Sequence, residues 1–308
     1  MREKVLVTGA SGFLGSHLAR RLGERALTPV HRELDLLDAA NVQRFLEAHR
    51  PGAIVHAAGF VGGIGLNTQH PGRMALENLK MGIHLLEAAA RLENIHVVII
   101  STICVYPSGA PVPMVESSIY DGYPAPETAP YGLAKRELLS LAEALRSEFH
   151  LDFSYLIPTN LYGPGDHYDE AKSHVVPALI QRILEAKRCA APSIEVWGDG
   201  KATRDLLYVE DAVEAIINIL RSGPFPMPIN IGSGREVSIR ELVETLKELI
   251  GYSGEIHWDT RRPVGASRRI LDISRAQQHF GFAPRTTLKD GLCKSIEWYV
   301  GQVSQATE

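Results

Sequence analysis

Three glycines spaced three residues apart, Gly9, Gly12 and Gly15 in TGASGFLGSH, join a β-branched run to a stretch with helical spacing. The first permits a tight turn. The second lets backbone N–H groups approach a pyrophosphate, and the third lets the helix pack closely on the sheet. Ser11, Phe13 and Leu14 complete the loop, and the helix N-terminus behind it favours phosphate. A plain strand-to-helix turn does not need three glycines, so this spacing predicts a dinucleotide-binding turn.

The pattern around it predicts a doubly wound α/β fold. Buried strands are expected at 53–59 (AIVHAAG) and 96–102 (HVVIIST), a strand running into a glycine turn at 4–10 (KVLVTGA), a strand running into a loop at 153–164, and helices at 16–24, 78–93 and 131–149. Fully apolar strands alternating with helices form a parallel sheet covered on both faces. After Pro164 the pattern changes. A polar loop at 165–174 precedes a helix at 175–188, a strand and turn at 193–200, helices at 209–223 and 238–251, and a short strand at 255–259. We expect a dinucleotide-binding domain of residues 1–164 plus about 203–234. A smaller substrate lobe of about 165–202 plus 235–308 lies over the carboxyl ends of the strands, where open α/β sheets bind ligands.

The 308 residues carry a formal charge of -4 with mixed signs throughout and no basic face, so nucleic acid is not an expected partner. No apolar run approaches the roughly 18 residues of a membrane span. Cys104, Cys189 and Cys293 are few and far apart, which argues against a disulfide framework. With a strand beginning at once and no room for a signal peptide, a cytoplasmic protein is expected. The histidines show no paired-ligand spacing, so no metal site is expected.

In TPVHRELDLLD, His31 and Arg32 follow the region where a second strand ends. A carboxylate there accepts the ribose hydroxyls of NAD, whereas cations suit the extra phosphate of NADP. The basic pair favours NADP and Glu33 leaves NAD open. Further on, YGLAK places Tyr131 and Lys135 four apart on one face at the start of a helix, with Pro130 in its first turn. A nearby ammonium is expected to lower the tyrosine pKa from about 10 towards neutrality. That suits Tyr131 to exchange a proton with a carbonyl or alcohol.

Together the glycine turn, the strand end bearing Thr102 and YGLAK resemble the extended short-chain dehydrogenase/reductase superfamily over the whole chain. The resemblance implies a catalytic Thr102, Tyr131 and Lys135, supported by Asn78. It places Asp35, Leu36, Ala57, Ala58, Pro158, Asn160, Leu161 and His174 along the cofactor, beside the glycine turn, His31 and Arg32. It also implies a homodimer built on the helices at 78–93 and 131–149. A narrower resemblance rests on VGGI (61–64), CVYP (104–107), PTNLYGP (158–164), SHVVPAL (173–179), VWGDG (196–200) and TRDLLYVED (203–211), which are similar to the GDP-L-fucose synthase family. That family inverts C3 and C5 of a GDP-4-keto-6-deoxymannose and then reduces C4 with NADPH. The resemblance implies that Cys104 is the epimerising base and His174 its acid partner. It also implies that Asn160, Val175, Arg182, Trp197, Arg204 and Arg269 contact the GDP-sugar.

The residue types fit that chemistry. A 4-keto group acidifies the hydrogens at C3 and C5, and inversion needs a base on one face and an acid on the other. An unperturbed thiol near pKa 8.5 and a histidine near 6.5 both exchange protons at neutral pH. Thr102 and Cys104 share parity, so they face one side if the strand continues. Arginines suit a diphosphate because their planar forks bind oxygens in pairs. On residue type alone Cys104 reads as core filler and His174 as a helix-cap or surface histidine. Three rivals remain at this level: an epimerase with retained NAD and no net redox, a C4 reductase or epimerase on another nucleotide-sugar, and a non-catalytic dinucleotide sensor. A 4,6-dehydratase is disfavoured, since Ile103 follows Thr102 where that chemistry uses acidic residues.

Overall fold

The structure is a computed structural model describing residues 4–168, 173–261 and 265–306. In chain order the elements begin β1 (Val5–Thr8), α1 (Phe13–Leu22), β2 (Ala26–Leu27), α2 (Ala39–His49), β3 (Ala53–His56), α3 (Ile64–Gln69), α4 (Pro71–Ala89) and β4 (His96–Ile100). Then follow α5 (Ala129–Phe149), β5 (Asp152–Pro158), β6 (Asn160–Tyr162), α6 (Val175–Arg188), β7 (Ser193–Trp197), β8 (Thr203–Arg204) and β9 (Leu206–Tyr208). The remainder are α7 (Val209–Ser222), β10 (Phe225–Ile231), β11 (Val237–Ser238), α8 (Ile239–Ile250), β12 (Glu255–Asp259), β13 (Arg268–Arg269), α9 (Ser274–Phe280) and α10 (Leu288–Ala306).

Six strands form a parallel sheet in the order β10-β5-β4-β3-β1-β2. The chain runs outward from β1 to β2, then crosses back to β3 on the other side. That reversal beside β1 opens the crevice in which α/β sheets bind ligands. Alternate residues of each strand feed two cores, as the pleat requires. Leu6, Ile54, Val97, Ile99, Phe153 and Tyr155 meet α2, α4 and α5 on one face. Val5, Val7, Val55, Val98, Leu156 and Ile229 meet α1, α7 and α9 on the other. A third core joins α6, α8 and α10 around Ile180, Ile194, Leu242, Leu246 and Leu292.

The doubly wound fold expected from the sequence is present, with instructive differences in its elements. Helix α1 starts at Phe13, directly after Gly12, rather than at 16. Helix α4 starts at Pro71, so Asn78 lies in mid-helix rather than at its beginning. A proline in the first turn forfeits no helical hydrogen bond, which is why a polar stretch can carry that extension. Strand β10 contains Pro226 and Pro228, which argue against a strand from sequence; it is an edge strand whose register shifts between Phe225 and Pro228. The loop expected at 165–174 is irregular where described, and its residues 169–172 lie outside the described residues.

Candidate active site

The glycine turn has the geometry of a dinucleotide cradle. Gly9 has φ 71°, and a Cβ there would lie 2.8 Å from the Ala58 backbone. Gly12 N–H donates to Gly9 O at 2.9 Å and caps α1 without a side-chain partner. A Cβ on Gly15 would sit 2.1 Å from Gly9 O, so the helix can approach only because that residue is glycine. Phe13 and Leu14 open α1 half-buried, and Ser11 is exposed beside them. The first N–H groups of a helix lack intrahelical acceptors, and the space kept clear of side chains above them suits a pyrophosphate. Strand β2 ends at Leu27, short of the expected position, so exposed His31 and Arg32 stand on a turn beyond it. His31 faces Asp35 at 3.6 Å, Leu36 is buried, and Arg32 projects to solvent.

Farther along the sheet edge the catalytic candidates converge. Strand β4 stops at Ile100 and does not continue to Cys104. Thr102 instead caps a 3₁₀ turn over Ile103–Val105, its Oγ1 accepting from Cys104 N–H at 3.2 Å. Strand parity therefore does not orient this pair; Thr102 and Cys104 are half-buried, while Ser101, Ile103 and Val105 are buried. Helix α5 packs directly on this turn. A Cβ on Gly132 would lie 2.1 Å from Cys104 O, and Arg136 Nε donates to Val105 O at 3.1 Å.

Lys135 Nζ donates to Ile100 O at 3.1 Å, and burial lowers its pKa to about 8. Burial, reinforced by Cys104, raises Tyr131 above the ordinary tyrosine range. The expected depression by the lysine is thus overridden: desolvation disfavours the phenolate and also weakens the ammonium that was to stabilise it. Asn78 Nδ2 donates to Phe60 O at 2.9 Å and Met74 O at 2.8 Å. Its buried Oδ1 has no partner among the described residues, and Gly59 leaves room between that oxygen and Lys135 Nζ. An unpaired buried carbonyl oxygen next to a lysine, with half-buried Ala57 and Ala58 flanking the glycine turn, leaves polar capacity for a bound group and water. The residues present fit a dinucleotide.

The substrate candidates are held by short strands that hydrophobic periodicity does not reveal. β8 lies between β11 and β13, with Arg204 opposite Arg269. Burial and then the charge of Arg269 lower Arg204 to about 10. Paired like charges, partly desolvated, form an attractive site for an anion. Asp205, fully buried and unremarked in the sequence reading, fixes this arrangement. Its N–H donates to Arg269 O at 2.8 Å, its Oδ1 accepts from Ser233 N–H at 2.8 Å, and its Oδ2 accepts from Leu271 N–H at 3.3 Å. Its carbonyl accepts from Thr159 Oγ1 at 2.9 Å and Asn160 Nδ2 at 3.3 Å, tying Asn160 and the Pro158–Leu161 segment to the arginines. The signal was an acid directly after Arg204, and it was overlooked because it reads as surface charge.

His174 forms the N-cap of α6 with no side-chain capping bond, so it is not the helix cap that residue type alone allowed. The residue is exposed, as a surface histidine is, and desolvation and then His167 lower its pKa. Val175 begins the helix half-buried. Arg182 donates from Nη1 to Glu195 O of β7 at 2.7 Å, beside Trp197, which is 48 % exposed. Arg269 does more than was expected of it: its Nη1 donates to Cys104 Sγ at 3.7 Å. Among the described residues no group of three His, Cys, Asp or Glu side chains could hold a metal, and no helix is long and apolar enough to cross a membrane.

Comparison with known proteins gives this geometry a lineage. Residues 5–232 match the NAD dependent epimerase/dehydratase family. The chain is 36 % identical over 308 residues to probable GDP-L-fucose synthase 1 of Oryza sativa subsp. japonica, covering 98 % of this chain and 94 % of that one. It is 32 % identical over 312 residues to GDP-L-fucose synthase of Escherichia coli (strain K12), covering 97 % of each. Its fold is similar to that of MlghC, the GDP-mannoheptose C4 reductase from Campylobacter jejuni with NADP bound, at TM-score 0.87 and 25 % identity over 97 % of this chain and 98 % of that one. With its glycine turn, Tyr131–Lys135 pair and parallel sheet, the chain belongs to the NAD dependent epimerase/dehydratase family, the extended short-chain dehydrogenase/reductases.

Proposed function

We propose that the protein is a nucleotide-sugar 3,5-epimerase/4-reductase that converts a GDP-4-keto-6-deoxyhexose with NADPH. One observation carries the reading beyond a simple reductase. The Cys104 thiol stands one turn from Thr102, electrostatically coupled to Tyr131 and hydrogen-bonded to Arg269 of the arginine pair. A thiol held among the reducing group and an anion site is placed for proton chemistry on the sugar that is reduced. The GDP-L-fucose synthases of rice and E. coli support the substrate class, and the NADP in the C. jejuni reductase supports the cofactor.

In this reading Arg204, Arg269 and Arg182 hold the diphosphate, with Trp197, Asn160 and Val175 against the rest of the nucleotide-sugar. Cys104, as thiolate, takes the proton from C3 or C5. The C–H electron pair passes into the enolate at the C4 oxygen, which Tyr131 and Thr102 hold by hydrogen bonds. His174 delivers a proton to the opposite face, and the carbonyl re-forms with inverted carbon. A reduced dinucleotide, whose pyrophosphate Gly9, Gly12 and Gly15 would hold, would supply the hydride for C4. Tyr131 then gives its proton to the alkoxide. Its raised pKa suits a donor, because it keeps the phenol protonated until an alkoxide, a stronger base, appears. Lys135 passes a proton back to the phenolate, with Asn78 Oδ1 offering an acceptor near its ammonium.

The homodimer belongs to the same proposal: Leu76 and Ile83, seven residues apart on α4, leave an exposed apolar stripe. So do a cytoplasmic location and the division into cofactor and substrate parts drawn above. The deciding experiment is incubation with GDP-4-keto-6-deoxymannose in deuterated water. Deuterium at C3 and C5 with one NADPH consumed per product is expected. No deuterium would sink the epimerase part, and deuterium without NADPH use would favour the redox-neutral rival.

A further inference from the structure

Arg204 and Arg269 stand opposite each other on β8 and β13, but their guanidinium groups have different surroundings. Arg204 Nη1 donates to Thr203 O at 2.7 Å and Ala266 O at 2.8 Å, so backbone carbonyls orient that side chain. Arg269 reaches across the cleft, and its Nη1 donates to Cys104 Sγ at 3.7 Å. Cys104 is also near enough to Tyr131 that negative charge on the sulfur opposes ionisation of the phenol. The thiol thus neighbours both the phenol and a guanidinium.

We infer that Arg269 is a positioning residue for Cys104: it orients the sulfur and faces the negative charge that the sulfur carries as a base. A guanidinium hydrogen-bonds more strongly to a thiolate than to a thiol. When the thiolate takes a carbon-bound proton, the C–H electron pair enters the enolate and the sulfur becomes neutral. Loss of that proton to solvent restores the base, with Arg269 Nη1 still at hydrogen-bond distance from the sulfur. This role rests on the epimerase reading, in which Arg269 also belongs to the diphosphate site, and it separates Arg269 from Arg204 in a way that anion binding alone does not.

Alkylation of the native protein by iodoacetamide at neutral pH, read cysteine by cysteine by peptide mass spectrometry, tests it without turnover. Arg269→Gln should slow modification of Cys104 about tenfold or more, the range lost with a hydrogen bond to a charged group. Arg269→Lys should keep part of the rate and Arg204→Gln all of it, with exposed Cys189 as internal reference. In deuterium incorporation at C3 and C5, Arg269→Gln should lower kcat about tenfold to a hundredfold beyond its effect on KM, whereas Arg204→Gln should act mainly on KM. Equal Cys104 alkylation in folded wild type and Arg269→Gln would overturn the inference, as would parallel KM effects of the two variants with kcat unchanged. If Arg269→Gln fails to fold, Arg269→Met, which keeps the length and removes the donors, gives the same comparison. If the wild type exchanges no deuterium, the proposed function fails while alkylation still decides the role of Arg269.

Discussion

Replacing Gly132 by alanine sets two known effects against each other at the heart of the site. Inside a helix, alanine is favoured over glycine by about 1 kcal/mol. Here the added methyl would lie 2.1 Å from Cys104 O and 2.9 Å from Cys104 C, whereas carbon and oxygen in ordinary contact sit well beyond 3 Å. The clash is with backbone, so no side-chain rotation relieves it. The turn is pinned from both sides, by Arg136 Nε on Val105 O and by Thr102 Oγ1 on Cys104 N–H. Relief therefore requires α5 and the turn to separate by about 1 Å, and overpacking of this kind costs about 1–3 kcal/mol. The overlap is severe enough for the upper half of that range to apply, leaving a net loss of about 1–2 kcal/mol and a melting temperature lower by a few degrees. The same separation moves Tyr131 away from Thr102 and Cys104, and misplacement by about 1 Å costs about a hundredfold in turnover. Gly72→Ala, in α4 with nothing within 4 Å of the new methyl, is the control and should be neutral or slightly stabilising. Thermal unfolding and deuterium exchange measured on both variants decide the matter. A Gly132→Ala protein that melts at or above wild type with exchange intact would refute the argument.

Three further outcomes are expected. Asp166 is buried, its Oδ2 has no partner among the described residues, and burial raises its pKa from 3.8 to about 7. The folded state therefore holds a proton that the unfolded state releases between those values, so this group makes stability fall as pH rises from 3.8 to about 7. The full effect is on the order of 4 kcal/mol. Asp166→Asn should flatten that part of the urea-unfolding profile, and an unchanged slope counts against it. Asp205→Ala should cost about 3–5 kcal/mol, because it strands the buried N–H groups of Ser233 and Leu271; denaturant unfolding that finds under 1 kcal/mol refutes the clasp. Gly15→Ala should abolish NADPH binding, seen as loss of cofactor fluorescence enhancement in a protein that still folds, since its methyl meets Gly9 O at 2.1 Å.

What could be read in advance followed the length scale of the signal. The parallel sheet and its long helices announce themselves because runs such as 97–100 (VVII) are apolar on both faces and helices such as α5 repeat over many turns. The glycine spacing is equally legible, because Gly15 answers to Gly9 and Ala10 within a few residues. The two-residue strands β8, β11 and β13 have no periodicity to detect, yet they place Arg204 opposite Arg269. Strand β10 hid behind its prolines. At the site, Thr102, Cys104, Tyr131 and Lys135 were legible as a set, but their electrostatics were not. Burial, a property of the whole fold, reversed the direction expected for Tyr131. The hydrogen bond from Arg269 to Cys104 spans 165 residues of chain, and no local pattern encodes a contact of that kind.

The clasp at Asp205 also fixes an order of events during synthesis. Its partners lie at Thr159, Ser233, Arg269 and Leu271, so the first waits for the rest to leave the ribosome. The glycine turn and the strands through β5 are available for pairing while the last third of the chain is still being made, as sequential folding during translation allows. A ribosome stalled near residue 240 thus carries the parts of a cofactor cradle but no arginine pair, and Arg269 meets Cys104 only when the chain is almost finished. The part of the protein proposed to choose the sugar is assembled last, onto a scaffold already committed to its cofactor.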